Sequence, residues 1–109
     1  MSIEKRKSVR VPVDFPASFA HERRNHPGRI LNLSSDGALL QAEELIEPGQ
    51  ELQLSFEIPD QEIRVRGKVM WGQSVKGNIN AYGMGIFFQD LADAHHTALE
   101  LYIRTLLDT

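Results

Sequence analysis

From Val11 to Phe19 the odd positions are Val11, Val13, Phe15, Ala17 and Phe19, while the even ones are proline, aspartate, proline and serine. A period of two places alternate side chains on opposite faces, so this stretch is expected to be a β-strand, and its prolines point to an edge or a bulge. Leu52, Leu54, Phe56 and Ile58 alternate with Glu51, Gln53, Ser55 and Glu57. After Pro59-Asp60 the alternation resumes with Ile63, Val65, Val69 and Trp71 against Arg64, Arg66, Lys68 and Met70. These are the two clearest strands. Shorter strands are read at Arg29 to Leu33 and Ala38 to Ala42, joined by the turn chemistry of Ser34-Ser35-Asp36-Gly37 into a hairpin, and a sixth at Tyr82 to Phe88 after a polar turn from Ser74 to Asn80.

At the C-terminus the period lengthens. Leu91, Ala94, Ala98, Leu101, Tyr102 and Leu106 recur at three- and four-residue steps, and Asp90 is placed to cap the first turn, which predicts one amphipathic helix over 91–107. Two roles are open to it: covering one mouth of a barrel, or docking a partner or a second copy. The pattern as a whole predicts an all-β (mainly β) fold, a six-stranded antiparallel meander closed or nearly closed into a barrel, with one C-terminal α-helix. At 109 residues the chain fits one domain. We divide it into an N-terminal arm, 1–10, and a barrel with its helix, 11–109.

Composition narrows the function. There is no cysteine, so disulfides, thiolate metal sites and cysteine nucleophiles are excluded. No apolar run is long enough to span a bilayer and the N-terminus leads into no signal-peptide core, so a cytoplasmic protein without membrane insertion is expected. The formal net charge of -3 opposes a general nucleic-acid binder, including a small barrel that grips single strands through a basic groove. Charge is unevenly spread, however: Lys5, Arg6, Lys7 and Arg10 crowd the N-terminus, whereas glutamates crowd the middle, an asymmetry that a small anionic ligand can use. Adjacent His95 and His96 point in different directions on a helix, and His21 and His26 flank an arginine-rich loop, so no metal site is expected. No nucleophile motif or phosphate-binding glycine loop of Walker type occurs, and no catalytic residue is assigned.

Two short patterns remain. Arg6 and Arg10 lie four apart, and two guanidinium forks converging from one segment suit phosphates or the O6/N7 edge of guanine; alone, they are equally a solubilising basic tail. Asn32 and Ser34 share one strand face, with Gly37 three residues on, and can hydrogen-bond a polar ligand. Equally, Ser34, Ser35 and Asp36 can satisfy local backbone while Gly37 supplies a positive φ. Trp71 alternates with Ile63, Val65 and Val69, which places it on the inward face as core or rim.

Taken together, Arg6-Lys7-Ser8-Val9-Arg10 (RxxxR) and Asn32-Leu33-Ser34-Ser35-Asp36-Gly37 ((D/N)xSxxG) resemble the paired motifs of the PilZ domain family, in the same order and separation. Gly67 to Trp71 and Tyr82 to Phe88 are also similar to that family's late strands, so the resemblance covers essentially the whole chain. It implies a six-stranded barrel that binds cyclic di-GMP as a ligand, with no cofactor, and signals to a protein partner not yet identified. By that resemblance Arg6 and Arg10 hold guanine edges and phosphates, and Asn32, Ser34 and Gly37 seat a guanine. Trp71 matches a position that in some members lies against a ligand base. Lys5 stands where an arginine goes with capture of a ligand dimer, which implies a single ligand or a loosely held pair here. Asn32 stands where aspartate is common, and an amide offers one acceptor oxygen where a carboxylate offers only acceptors, weakening contact with guanine N1/N2. A PilZ-like interaction module that does not bind the nucleotide is the other reading, and the oligomeric state is left open.

Overall fold

The computed structural model describes residues 9–59, 61–75 and 77–108, with the side chains of 78–80 left out. Six strands and one helix follow in order: β1 Val11–His21, β2 Arg24–Leu33, β3 Gly37–Ala42, β4 Glu51–Ile58, β5 Gln61–Val75, β6 Asn78–Phe88 and α1 Asp93–Leu107. All neighbouring pairs are antiparallel and the sheet closes in the order β1-β2-β3-β6-β5-β4. The expected class is therefore correct, but the chain is not a simple meander. After β3 it leaves the sheet and crosses to β4, which pairs with both β5 and β1, while β6 returns to β3. The crossover is anchored by Ile46, which is buried and whose backbone N–H lies 3.4 Å from Met84 Sδ. The connection over 43–50, with a buried apolar residue inside it, is too long for a hairpin loop.

Inward positions of every strand fill the barrel: Phe19, Ile30, Leu33, Leu40, Leu54, Ile63, Val69 and Met84 are almost fully buried. Pro12 and Pro16, whose missing N–H groups make them poor members of a ladder, precede the stretch Ala17–Ala20 that pairs with β4, and a bulge separates Pro12 from Phe15. Val11–Pro16 pair with β2 only, so the prolines sit on a stretch with one unpaired side and beside a bulge, as expected. β1 and β2 run further than their alternation suggests, through polar residues to the pair His21↔Arg24, and the two residues between them, Glu22 and Arg23, both have positive φ (51° and 67°). β5 and β6 likewise extend through the segment expected to be a polar turn, leaving only the tip at 76–77, where Gly77 has φ +84°.

The helix begins two residues later than expected and in a different phase. Ala92 precedes its first turn without a side-chain cap, and Asp90 instead accepts a hydrogen bond from Arg66 at 3.0 Å. Its buried residues are Leu99 and Ile103, both part of the barrel's core cluster, with Ala98, Tyr102 and Leu106 packed partly against it. Ala94 and Leu101, which the three- and four-residue steps place on the core face, are exposed. Several apolar residues on a short helix support more than one stripe, and packing on the barrel selects the Leu99–Ile103 one.

Candidate functional site

The site is built where β1 begins and β2 ends. Val11 pairs with Leu33 and Pro12 with Asn32, so Arg10, the residue before β1, stands beside the turn that leaves β2. Its guanidinium donates from Nη1 to Asn32 Oδ1 at 2.9 Å on the exposed surface. The first half of the paired motif is thus in contact with the second across 22 residues of chain. Lys5 and Arg6 lie outside the described residues.

Ser34 is completely buried. Its Oγ accepts from the backbone N–H groups of Asp36 and Gly37, both at 3.1 Å, and lies 3.3 Å from the Gly37 carbonyl, to which it donates. The Ser34 N–H also donates to that carbonyl at 2.9 Å, and the Asp36 carbonyl receives the N–H of Phe88 at 2.8 Å. The serine therefore ties the turn to itself, and the Asp36 carbonyl ties the turn to β6. Gly37 does not supply a positive φ, contrary to that expectation, because only Gly49 and Gly77 among the described glycines do. What position 37 requires is the absence of a side chain: a Cβ there would lie 2.2 Å from the Ile86 carbonyl oxygen.

Trp71 is where the alternation misleads. β5 carries a bulge between Val69 and Trp71, so Val69 pairs with Ile86 and Trp71 with Gly85, two adjacent residues of β6. An extra residue, Met70, is absorbed there, and Trp71 is turned from the inward to the outward face, 46% exposed. A one-residue slip exchanges the two faces of a strand, which a period count cannot detect. Reading across the sheet, Asn32 pairs with Leu39, Leu39 with Gly85 and Gly85 with Trp71. Asn32 and Trp71 thus end one row on the outer wall, three strand spacings or roughly 14 Å apart. Sequence reasoning missed Leu39 as a member of this row; Gly85 is legible there only as sharing a strand face with Gly83, where a bend in the barrel is the expectation over close approach of a ligand. Phe87, 48% exposed, stands two residues further along β6, opposite Gly37.

Asp14 and Arg29 form an exposed ion pair at 2.6 Å on the same two strands that carry Arg10 and Asn32. Among the described residues no group of histidine and acidic side chains could hold a metal ion, and no helix is long and apolar enough to cross a membrane. The arrangement offers an exposed arginine fork, an amide, an indole and a pinned turn on one wall: groups that recognise and stack, without a nucleophile activated by a base.

Known proteins share this wall's scaffold. The structure is similar to the Bacillus subtilis inhibitor of motility MotI/DgrA, with a TM-score of 0.83 at 18% identity, over 98% of this chain and 54% of that one. It is similar to the PilZ domain of YcgR from Escherichia coli, solved with c-di-GMP, with a TM-score of 0.75 at 12% identity over 96% of this chain and 93% of that one. The Borreliella burgdorferi PlzA protein in complex with c-di-GMP gives 0.66 at 21% identity over 91% of this chain and 41% of that one. At such identities the likeness is one of fold. In sequence, an uncharacterized protein of Aquifex aeolicus is 28% identical over 102 residues, 93% of this chain and 49% of that protein, so the chain spans about half the length of the curated relative it matches. The family model of the PilZ domain matches residues 4–105, nearly the whole chain, which takes in both motifs, all six strands and most of α1, and the chain belongs to the PilZ domain family.

Proposed function

We propose that this chain is a receptor module for cyclic di-GMP, which binds on the outer wall between the N-terminal arm and the Asn32–Gly37 turn, changes the surface the arm presents, and is then read by a protein partner in the cytoplasm. The observation that carries the reading is the bond from Arg10 to Asn32: the two motifs of the family meet at one point on the surface, through an arginine that is itself exposed. Structural neighbours solved with c-di-GMP support the ligand class. In this reading Arg10, with Lys5 and Arg6 from the arm, neutralises phosphates and clamps guanine edges, Asn32 contacts a base, and Ser34 and Gly37 hold the turn in shape. Trp71 offers a face for stacking. PilZ domains are receptor or effector modules and not enzymes, and we assign this chain no catalysis.

One observation favours the second reading, an interaction module without nucleotide binding: the Ser34 hydroxyl is fully engaged inside its own turn. Calorimetric titration with cyclic di-GMP separates the two. The receptor reading expects a Kd on the order of micromolar or tighter, about 8 kcal/mol. No heat of binding at about 100-fold higher ligand leaves the interaction module.

A further inference from the structure

Gly85 is the one glycine of β6 whose missing side chain is filled by another residue's ring. A Cβ built there would lie 2.2 Å from Trp71 Nε1, 2.5 Å from Cε2 and 2.8 Å from Cδ1, three atoms of the same five-membered ring. Such separations are far inside contact distance, so any side chain at 85 expels the indole. Gly83, two residues earlier on the same face, is different: a Cβ there would meet only Leu39 Cδ1 at 3.6 Å, an ordinary contact. Two features of different strands thus cooperate. The Met70 bulge turns Trp71 outward, and Gly85, its direct partner, leaves a bare stretch of backbone for the indole to cover. Lying over β6 instead of β5, the ring stands one strand closer to Asn32, about two strand spacings or roughly 10 Å away.

From this geometry we infer that Gly85 is a positioning residue. It seats the indole of Trp71 on the outer wall in a fixed pose, and through Trp71 alone it contributes to stacking of a ligand base. The inference rests on the receptor reading for its ligand and on the structure alone for the seat. An indole held against backbone keeps one face covered and offers the other without first losing rotamer freedom, which is what makes a stacking surface effective.

Trp71 is the chain's single tryptophan, so its emission reports the seat directly. Without ligand, Gly85→Ala is expected to shift the emission and raise quenching by acrylamide, whereas Gly83→Ala changes neither. With cyclic di-GMP, Gly85→Ala is expected to weaken binding about tenfold, within the range stacking supplies. The same substitution added to Trp71→Ala should cost less than about twofold, because nothing remains to be positioned. Far-ultraviolet circular dichroism checks that each variant keeps its strands. The seat is overturned if Gly85→Ala leaves emission and quenching unchanged. Its role in binding is overturned if Gly85→Ala weakens binding as much without the indole as with it. If the unaltered chain binds no ligand, the receptor reading falls and takes the stacking role with it, while the ligand-free emission still decides the seat.

Discussion

Arg10 and Ser34 belong to the same paired motif, yet burial separates their roles. Arg10 is exposed and its one described bond runs to the half-buried Asn32 at the surface, so Arg10→Ala is expected to leave thermal stability nearly unchanged and to lower cyclic di-GMP affinity by about 1.5–3 kcal/mol, the usual worth of a charged hydrogen bond. Ser34→Ala removes the acceptor of the buried Gly37 N–H and of the partly buried Asp36 N–H, and is expected to cost about 1–3 kcal/mol of stability before any ligand is added. Thermal melts beside calorimetry check both. Asn32 offers a finer test. Its single acceptor oxygen already receives Arg10, which leaves one lone pair and the amide N–H donors for a ligand. Asn32→Asp gives Arg10 a charged partner and keeps a second oxygen to accept from guanine N1/N2, so affinity should rise about fivefold, roughly 1 kcal/mol; a fall would mean the amide donors are what the base meets. The motif spacing disclosed these residues, because they are few and chemically distinctive. It could not disclose that the serine faces inward, which depends on how β6 closes against the turn.

Alternation served the strands that have one wet and one dry face along their whole length. β4 and most of β5 were legible for that reason, with Leu52 to Ile58 and Ile63 to Val69 buried in step. It failed where a ladder continues without a core to cover: Arg24 to Gly28 pairs with β1 through polar residues and a proline. It failed again at Met70, where one extra residue reversed the phase, and on α1, where competing apolar stripes differ only in what they pack against. The β1–β2 connection is an element built against local preference. Its two central residues, Glu22 and Arg23, are left-handed, a conformation that costs an ordinary L-residue roughly 1–2 kcal/mol and that an asparagine followed by a glycine adopts readily. The double substitution Glu22→Asn with Arg23→Gly is expected to stabilise the chain by about 1 kcal/mol, read as a rise of roughly 4–8 °C in Tm. No rise would indicate that neighbouring contacts hold the turn without strain.

At the scale of the molecule, the receptor reading makes the arm the part expected to set how much ligand is held. Lys5 carries charge without the planar fork that both clamps a guanine edge and stacks, so one ligand or a loosely held pair is expected per chain, and Lys5→Arg should tighten binding and move the ratio toward two. Calorimetric stoichiometry of both forms is the check; two tightly held ligands in the unaltered chain, unchanged by the substitution, would show the fork to be irrelevant. The barrel is a ring of six strands in which every strand has two neighbours. Many signalling domains recruit partners by lending an unpaired strand edge, and backbone then supplies affinity that no substitution can easily remove. A closed ring has little of that kind to lend: backbone paired on one side only is confined to strand ends, such as Val11–Pro16 of β1, which contains two prolines, and Arg24–Gly28 of β2. A protein that docks on the fully paired part of the wall is recognised by side chains, and side chains can be exchanged without disturbing the ladder beneath. The same scaffold persists at 12% identity in YcgR and 18% in MotI/DgrA, so on such a body a change of partner requires only new residues on an old wall.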